Sequence, residues 1–301
     1  MNRIQTAYRR GDFFPYALVL PTVLLVLGVM VVPVISVFNL SVQRYDMTRL
    51  FDRGFAGLGN FTTIFTQDSL FWQSLWTTLE WVGWEVGLQV LFGLIVALIL
   101  NARIVAQGVA RAIIFLPWAV SGVLTTMLWT LLFNQQSGLL NFLLLKAGLV
   151  QSPIAWLANP DTVFPSVIVA ELWRGIPFFA ITILAALQGI PKEIYEAADM
   201  DGCGPVRRLF RITLPYLRGA IVFSALLRCI WEFNSIDMIF TMTGGGPVDM
   251  TTTLPIYMMR TSVIEQNVGY GAALGVVSFF ILLVFAIIYL RFNGYGKTVD
   301  E

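Results

Sequence analysis

Residues 194–217 read IYEAADMDGCGPVRRLFRITLPYL, a charged stretch set between two long apolar segments. Across the 301 residues, 57% are hydrophobic and only 12% are charged. Soluble domains carry about a quarter charged residues. A chain this apolar cannot hide its hydrophobic surface in a water-soluble core, so the composition predicts an integral membrane protein. The charged stretch is then predicted to lie outside the bilayer.

Several classes of function are excluded or disfavoured by residue content. The chain has no histidine, which excludes Ser-His-Asp and Cys-His catalysis and HExxH zinc chemistry. A net charge of +1 gives no electrostatic case for nucleic-acid binding. Cys203 and Cys229 form no CxxC pair, so they are interpreted as small apolar fillers and no metal site is predicted.

Six segments are long and apolar enough to span a bilayer, for which about 20 residues are needed. The fold class predicted is therefore an all-α integral membrane protein with six transmembrane helices. The uncharged run from Phe13 to Gln43 is longer than the hydrophobic region of a signal peptide, so it is predicted to remain as the first span. The six predicted spans are residues 14–38, 73–100, 112–133, 163–187, 219–242 and 271–291.

The distribution of lysine and arginine predicts the orientation of these spans. Six spans place both termini on one side, and the positive-inside rule assigns the cation-rich side to the cytoplasm. That side carries twelve cations and the opposite side five, so both termini are predicted to be cytoplasmic. The twelve are Arg3, Arg9, Arg10, Arg103, Arg111, Lys192, Arg207, Arg208, Arg211, Arg218, Arg291 and Lys297, and the five are Arg44, Arg49, Arg53, Lys146 and Arg260.

Three regions are predicted along the chain, without a separate soluble domain. Residues 1–70 hold the N-terminal tail, the first span and the first outer loop. Residues 71–291 form the core with the remaining five spans, and within it residues 188–218 form a cytoplasmic loop. Residues 292–301 form a cytoplasmic tail.

Within the cytoplasmic loop, proline and glycine predict two short amphipathic helices. Pro191 suits the first position of a helix, Gly202 suits its C-terminal stop, and Pro205 restarts a helix. Pro215 is expected to open the next membrane helix. The predicted apolar faces are Ile194, Ala197 and Ala198 in the first helix, and Val206, Leu209, Phe210 and Thr213 in the second.

Two interpretations of the loop follow from these residues. It is either an interfacial segment whose arginines contact anionic headgroups, or a docking surface for a cytoplasmic protein. A short helix with an apolar face and a carboxylate is typical of a segment that inserts into a groove of a partner.

The spacing of the loop resembles a family motif. An EAA triplet, three residues, glycine, nine residues and then I-x-L-P resembles the EAA loop of binding-protein-dependent ABC importer permeases. LQGIPKEIYEAA and FTMTGGGP are similar to the sugar-importer branch, within it to the maltose and glycerol-3-phosphate type of permease that pairs with a second one. The resemblance covers roughly residues 70–291 and the first span. The motif positions are Glu196, Ala197, Ala198, Gly202, Ile212, Leu214 and Pro215.

The resemblance implies a location in a bacterial inner membrane, a set of partners and a role for the loop. Two permease subunits would form one path, two ATPase subunits would sit beneath them, and an extracytoplasmic binding protein would deliver the solute. The loop would be the coupling helix, with Glu196 facing a basic group of the ATPase, Asp199 among the coupling residues, and Gly202 allowing the bend. The chain has no G-x-x-x-x-G-K-[ST] sequence, so ATP and magnesium are expected on the partner ATPases and this chain is not expected to be an enzyme.

Polar residues in the predicted spans are candidates for the solute path. Charged groups in a bilayer are costly and tend to face a protein interior or water. Glu171 with Arg174 and Arg228 with Glu232 are spaced to pair within their helices. Trp231, with polar residues three, six and ten positions later, is expected to form one helical face suited to a sugar, or alternatively to make hydrogen bonds between helices. The predicted path residues are Trp231, Asn234, Asp237, Thr241, Glu232 and Arg174.

Two rival functions remain open at this level. An ion-coupled secondary transporter of a small polar solute would need no ATPase, but no inverted repeat favours it. A membrane enzyme acting on lipid-linked sugars through Asp237 or Glu232 would lack both a histidine base and clustered metal ligands.

Overall fold

The computed structural model of the protein describes residues 13–49, 51, 53–102 and 106–293. The predictions for residues 1–12 and for the tail beyond residue 293 lie outside this part of the chain. The cations counted for the orientation that lie outside it are Arg3, Arg9, Arg10, Arg103 and Lys297.

The described chain is built mainly of α-helices. We number them α1 Phe13–Val26, α2 Val32–Ser41, α3 Gly59–Thr66, α4 Ser69–Asn101, α5 Gln107–Ala119, α6 Gly122–Leu132, α7 Leu139–Lys146, α8 Pro160–Gln188, α9 Lys192–Met200, α10 Pro205–Arg208, α11 Leu214–Phe233, α12 Asp237–Thr243, α13 Leu254–Met259 and α14 Val268–Phe292. Three π-helical turns, Leu27–Val31, Leu209–Thr213 and Arg260–Ile264, and a hairpin of β1 Gln43–Arg44 and β2 Gly54–Phe55 complete the described elements.

Several of these helices are long and apolar enough to cross a bilayer. Within the described residues there are five such helices, or six if the bent pair α5 and α6 counts as one span. A helical protein with several membrane spans is therefore confirmed.

The described chain divides into two compact units, and the first contains its residues up to 68 together with residues 258–280. In this unit α1, a π turn and α2 form one apolar run, which carries the expected first span. Phe38 contacts Phe279 edge-on, with ring centroids 5.9 Å apart. The Asn60 side-chain amide donates hydrogen bonds to the carbonyl oxygens of Ser41 and Gln43, each at 2.9 Å, and so ties α3 to the start of the hairpin.

The second unit contains the described residues between 69 and 257 and residues 281–293, and its core lies among α4, α8 and α11. Phe179, Ile183 and Leu217 are fully buried in this core. A Cβ added at Gly93 of α4 would lie 2.4 Å from the Cβ of Phe179 on α8. Glycine therefore allows the two helix backbones to approach closely, as is common between membrane helices.

The third predicted span, residues 112–133, is not one straight helix. α5 and α6 are bent by 92° at a short break. Val120 adopts an extended conformation, and Ser121 precedes the first residue of α6, Gly122. Pro117 inside α5 removes a backbone donor, and serine and glycine have low helix propensity, so the helix ends here although the side chains remain apolar.

The loop before the fifth span also differs from the prediction of two separate short helices. α9 is short, as expected, but α10, the π turn Leu209–Thr213 and α11 form one uninterrupted helical run. Pro215 lies inside this run and does not open a new helix. The wide π turn precedes Pro215, whose ring would clash with the carbonyl four residues earlier in a regular α-helix. The π turn Leu27–Val31 precedes Pro33 in the same way.

Candidate functional site

The first helix of the loop 188–218 ends as the sequence predicts. Gly202 has a φ of +69°, in the left-handed region that glycine adopts without strain. Its N–H donates to the carbonyl of Asp199 at 3.1 Å, and the N–H of Cys203 donates to the carbonyl of Ala198 at 2.9 Å. This pair of bonds is a Schellman cap, which fixes the direction in which the chain leaves α9.

Two contacts hold α9 against the following helix. The hydroxyl groups of Tyr195 and Thr213 lie 3.2 Å apart. Arg208 forms an ion pair with Asp199 at 2.7 Å, and its guanidinium lies over the ring of Tyr195. The loop is thus a defined structure rather than a loose connection.

The side chains of α9 divide into a held side and a free side. Ala198 is buried and Ile194 is half-buried, as the predicted apolar face requires, but Ala197 is exposed. Glu196 is exposed and makes no polar contact within the described residues. An exposed carboxylate beside an exposed alanine leaves this side of α9 open to another molecule.

A pocket of about 390 Å³ lies behind the loop, at the end of α4. Its walls combine apolar side chains with the polar groups of Tyr195, Arg208 and Thr213. The remaining lining residues are Leu98, Asn101, Leu187, Pro205 and Leu209.

Deeper in the same unit, charged side chains form a buried network centred on Glu171. Arg174 donates to both oxygens of Glu171 at 2.9 and 2.8 Å, which confirms the pair predicted within α8. Arg228 of α11 pairs with Glu232 at 2.6 Å, as predicted, and also donates to Glu171 at 2.8 Å. Glu171 and Glu232 therefore share Arg228, and the network links two helices.

The helix α4 completes this network with an amide and an indole. Arg228 donates from Nε to Gln89 Oε1 at 2.7 Å, and Gln89 Nε2 donates to Glu85 at 2.9 Å. Trp81 Nε1 donates to Glu232 at 3.2 Å. All of these groups are buried, so α4, α8 and α11 are joined by hydrogen bonds away from water.

The sequence reasoning missed the links between helices. Trp81, Glu85 and Gln89 are spaced four residues apart on α4, and this polar stripe in an apolar span was the available signal. Gly175 gave a second signal, since a Cβ added there would lie 2.3 Å from Gln89 Cδ. A glycine on α8 therefore makes room for the amide of α4.

The predicted path residues do not lie on one helix. α11 ends at Phe233, and α12 begins at Asp237. The expected single face of Trp231, Asn234, Asp237 and Thr241 is therefore wrong in its geometry. The Asn234 side chain donates to the carbonyl of Ile230 at 2.8 Å. Asparagine and serine bond to nearby backbone and favour helix ends, and this preference overrides the apolar pattern.

These residues nevertheless share one property, since all four side chains are exposed on this chain. Trp231 packs against Phe178, with ring centroids 5.3 Å apart. Glu232 differs from them, because it is buried in the charged network.

Arg174 links the buried network to the break between α11 and α12. Its guanidinium is partly exposed. A Cβ added at Gly122, the first residue of α6, would lie 3.4 Å from Arg174 Nη1 and 3.9 Å from Asp237 Oδ2. The break between α5 and α6 and the break between α11 and α12 therefore lie close together, beside both a cation and a carboxylate. Broken membrane helices commonly line transport sites.

Comparison with known proteins identifies the family of this fold. The family model described as "Binding-protein-dependent transport system inner membrane component" matches residues 89–294. The chain is 35% identical over 282 residues to the trehalose/maltose transport system permease protein MalF of Thermococcus litoralis, covering 94% of each chain. It is 34% identical over 274 residues to the sulfoquinovosyl glycerol transport system permease protein SmoG of Agrobacterium fabrum, covering 91% of this chain and 88% of that one.

A solved structure shows the same fold. One chain of a bacterial alginate ABC transporter, crystallised with an alginate pentasaccharide-bound periplasmic protein, superposes with a TM-score of 0.82. The two chains are 22% identical, and the match covers 96% of each.

Proposed function

The chain belongs to the family of binding-protein-dependent transport system inner membrane components, and from this premise we propose that it carries a sugar through an ATP-driven importer. It is a multi-pass inner-membrane permease subunit. The solute class rests on relatives whose names specify trehalose or maltose, sulfoquinovosyl glycerol and arabinooligosaccharides. The proposed assembly contains a second permease, two ATPase subunits that hold ATP and magnesium, and an extracytoplasmic binding protein that delivers the sugar.

The observation that supports coupling most strongly is the free side of α9. Glu196 and Ala197 are exposed, while Tyr195 and Asp199 fasten the helix to the rest of the chain. A helix held on one side and open on the other can transmit a push from a docked ATPase. We assign the contact to Glu196 and its neighbours, with the remaining motif positions supporting the bend and the start of the next span. The assigned residues are Glu196, Ala197, Ala198, Asp199, Gly202, Ile212, Leu214 and Pro215.

The orientation and regional division are part of the same proposal. With α5 and α6 counted as one of six spans, we assign both termini and the loop 188–218 to the cytoplasm, because the lysine and arginine distribution favours that side. Residues 1–70 would carry the first span, residues 71–291 the transport core and residues 292–301 the tail.

The proposed solute path runs past the break between α11 and α12. Trp231 offers an aromatic plate, and Asn234, Asp237 and Thr241 offer hydrogen-bonding groups that this chain leaves exposed. Arg174 adds a partly exposed cation near Asp237. Of the earlier candidates, Glu232 would act indirectly, because it is buried and bonded to Trp81 and Arg228.

Reconstitution tests the function as a whole. The chain is purified with its co-encoded permease, ATPase and binding protein, and placed in proteoliposomes. We expect uptake of a radiolabelled saccharide only when ATP is inside and the binding protein is outside. Uptake driven by a proton or sodium gradient without ATP would instead establish the secondary transporter.

The same assay tests the path residues. We expect Asn234→Ala and Asp237→Asn each to lower saccharide uptake by up to about tenfold, because each removes hydrogen bonds of about 0.5–1.5 kcal/mol to the solute. Assembly of the complex should be unchanged, because both side chains are exposed. Asp161→Asn, an exposed carboxylate at the start of α8, serves as the control. Unchanged uptake kinetics in both path variants would remove these residues from the path.

A further inference from the structure

The exposed arginines in the second half of the loop have no role in the coupling assignment. From Gly202 to Trp231 the chain contains five arginines and no carboxylate. Two of the arginines have partners in the described structure, since Arg208 pairs with Asp199 and Arg228 belongs to the buried network. The other three, Arg207, Arg211 and Arg218, are exposed and have no polar contact among the described residues.

Large apolar side chains alternate with these three arginines. Val206 is 69% exposed, Phe210 is 63% exposed and Tyr216 is 55% exposed. Cations and apolar groups interleaved within three turns form a surface that fits neither bulk water nor the hydrocarbon interior. Such a surface matches the boundary between headgroups and acyl chains.

The helix itself places this surface at the boundary. The helical run that carries it is uninterrupted from Pro205 to Phe233 and contains most of the fifth candidate span. About 20 residues are enough to cross the hydrocarbon layer. The run is longer than this, and in the orientation proposed above its N-terminal turns face the cytoplasm, so residues 206–218, which carry the exposed arginines, are the turns next to the cytoplasmic headgroups.

We propose that the exposed side chains of residues 206–218 form a binding surface for anionic phospholipids, with Arg207, Arg211 and Arg218 on the headgroup phosphates and Val206, Phe210 and Tyr216 packed against the same lipids. Anionic phospholipid is favoured as the ligand by charge complementarity, because the cytoplasmic leaflet is anionic and the charged side chains of this surface are all cations. The inference rests on the cytoplasmic orientation proposed above. In this proposal the carboxylates of α9 contact the ATPase, and the arginines of residues 206–218 bind the membrane surface.

The direct test is a photo-cross-link from within this surface. The variant Phe210→p-benzoylphenylalanine keeps an aromatic side chain in place. The complete complex is reconstituted in vesicles of about 70% phosphatidylethanolamine and about 30% phosphatidylglycerol, so that an anionic lipid competes with a zwitterionic one. We expect the main adduct to be phosphatidylglycerol. An adduct mainly with the ATPase subunit, or one without preference for phosphatidylglycerol over phosphatidylethanolamine, would overturn the proposal.

Charge removal supplies the second arm. We expect the triple variant Arg207→Gln, Arg211→Gln, Arg218→Gln, made in the cross-linking background, to lower phosphatidylglycerol adducts by about tenfold or more, since each cation near the surface contributes to anionic-lipid binding. The control Lys192→Gln removes an exposed cation of α9 and should leave the adducts unchanged. Equal adduct yields in the triple variant and the control would contradict the proposal.

Two features keep the outcome interpretable. Adduct formation does not require uptake, so it can be observed even if ATP-driven transport fails. The lipid-binding proposal and the proposed transport function can therefore be contradicted independently. If the triple variant does not assemble, the Phe210 cross-link in the otherwise unchanged chain decides the question by its lipid preference.

Discussion

Arg228→Ala is expected to lower the free energy of unfolding by about 3–5 kcal/mol, the largest loss that we anticipate from a single side chain. Arg228 is the only cation that reaches both Glu171 and Glu232 in the described structure. Its removal leaves two buried carboxylates with one partly exposed arginine, and it deprives Gln89 of its donor. Uncompensated charge is especially costly where water is excluded.

Unfolding in mixed detergent micelles, followed by circular dichroism, measures this effect. Arg174→Ala is the matched control, because it removes the other cation of the network but leaves Glu171 bound to Arg228. We expect its destabilisation to be clearly smaller. The double variant Arg228→Ala, Glu232→Gln should regain part of the stability, since it also removes one carboxylate charge. Equal losses in Arg228→Ala and Arg174→Ala would show that the network does not depend on the shared guanidinium.

Glu196→Lys is expected to abolish ATP-driven uptake, with a fall of at least about a hundredfold. In the proposed contact, reversing the charge replaces an attraction to a basic group on the ATPase with a repulsion, and like charges at an interface cost several kcal/mol. The permease itself should fold normally, because Glu196 is exposed and makes no polar contact within the described residues.

Co-purification with the ATPase subunit separates loss of docking from loss of folding. Glu193→Lys is the matched control, because it reverses an exposed carboxylate of the same helix one turn earlier. Glu193→Lys should lower the stability of the helix by no more than the helix-dipole contribution of about 0.3–1 kcal/mol. Normal co-purification and uptake in Glu196→Lys would end the assignment of the coupling contact.

The sequence was sufficient for the features that depend on local chemistry. Gly202 and Pro205 predicted the end of α9 and the restart of the chain, and the structure confirms both, whereas Pro191 lies one residue before the first residue of α9, Lys192. The pairs Glu171–Arg174 and Arg228–Glu232 were predicted from spacing within one helix and are also confirmed.

The features that depend on packing between helices could not be read from spacing. Arg228 pairs with Glu171 as well as with Glu232 because α8 and α11 lie side by side. The hydropathy of either span does not indicate this contact. The breaks at Ser121 and Asn234 were hidden by apolar neighbours that look the same in a bent or straight helix. At both breaks a few polar or small residues end the helix, although the surrounding apolar pattern of more than twenty residues predicts that it continues.

The uninterrupted helical run from Pro205 to Phe233 has a mechanical consequence. A hydrogen-bonded helix resists compression along its axis, so a displacement applied at one end reappears at the other with little loss. One end of this strut is clamped to α9 through Arg208, and the other ends at the joint beside Asn234 and Asp237. In the proposed coupling, a displacement of α9 by the ATPase would therefore reach that joint without an intervening flexible linker.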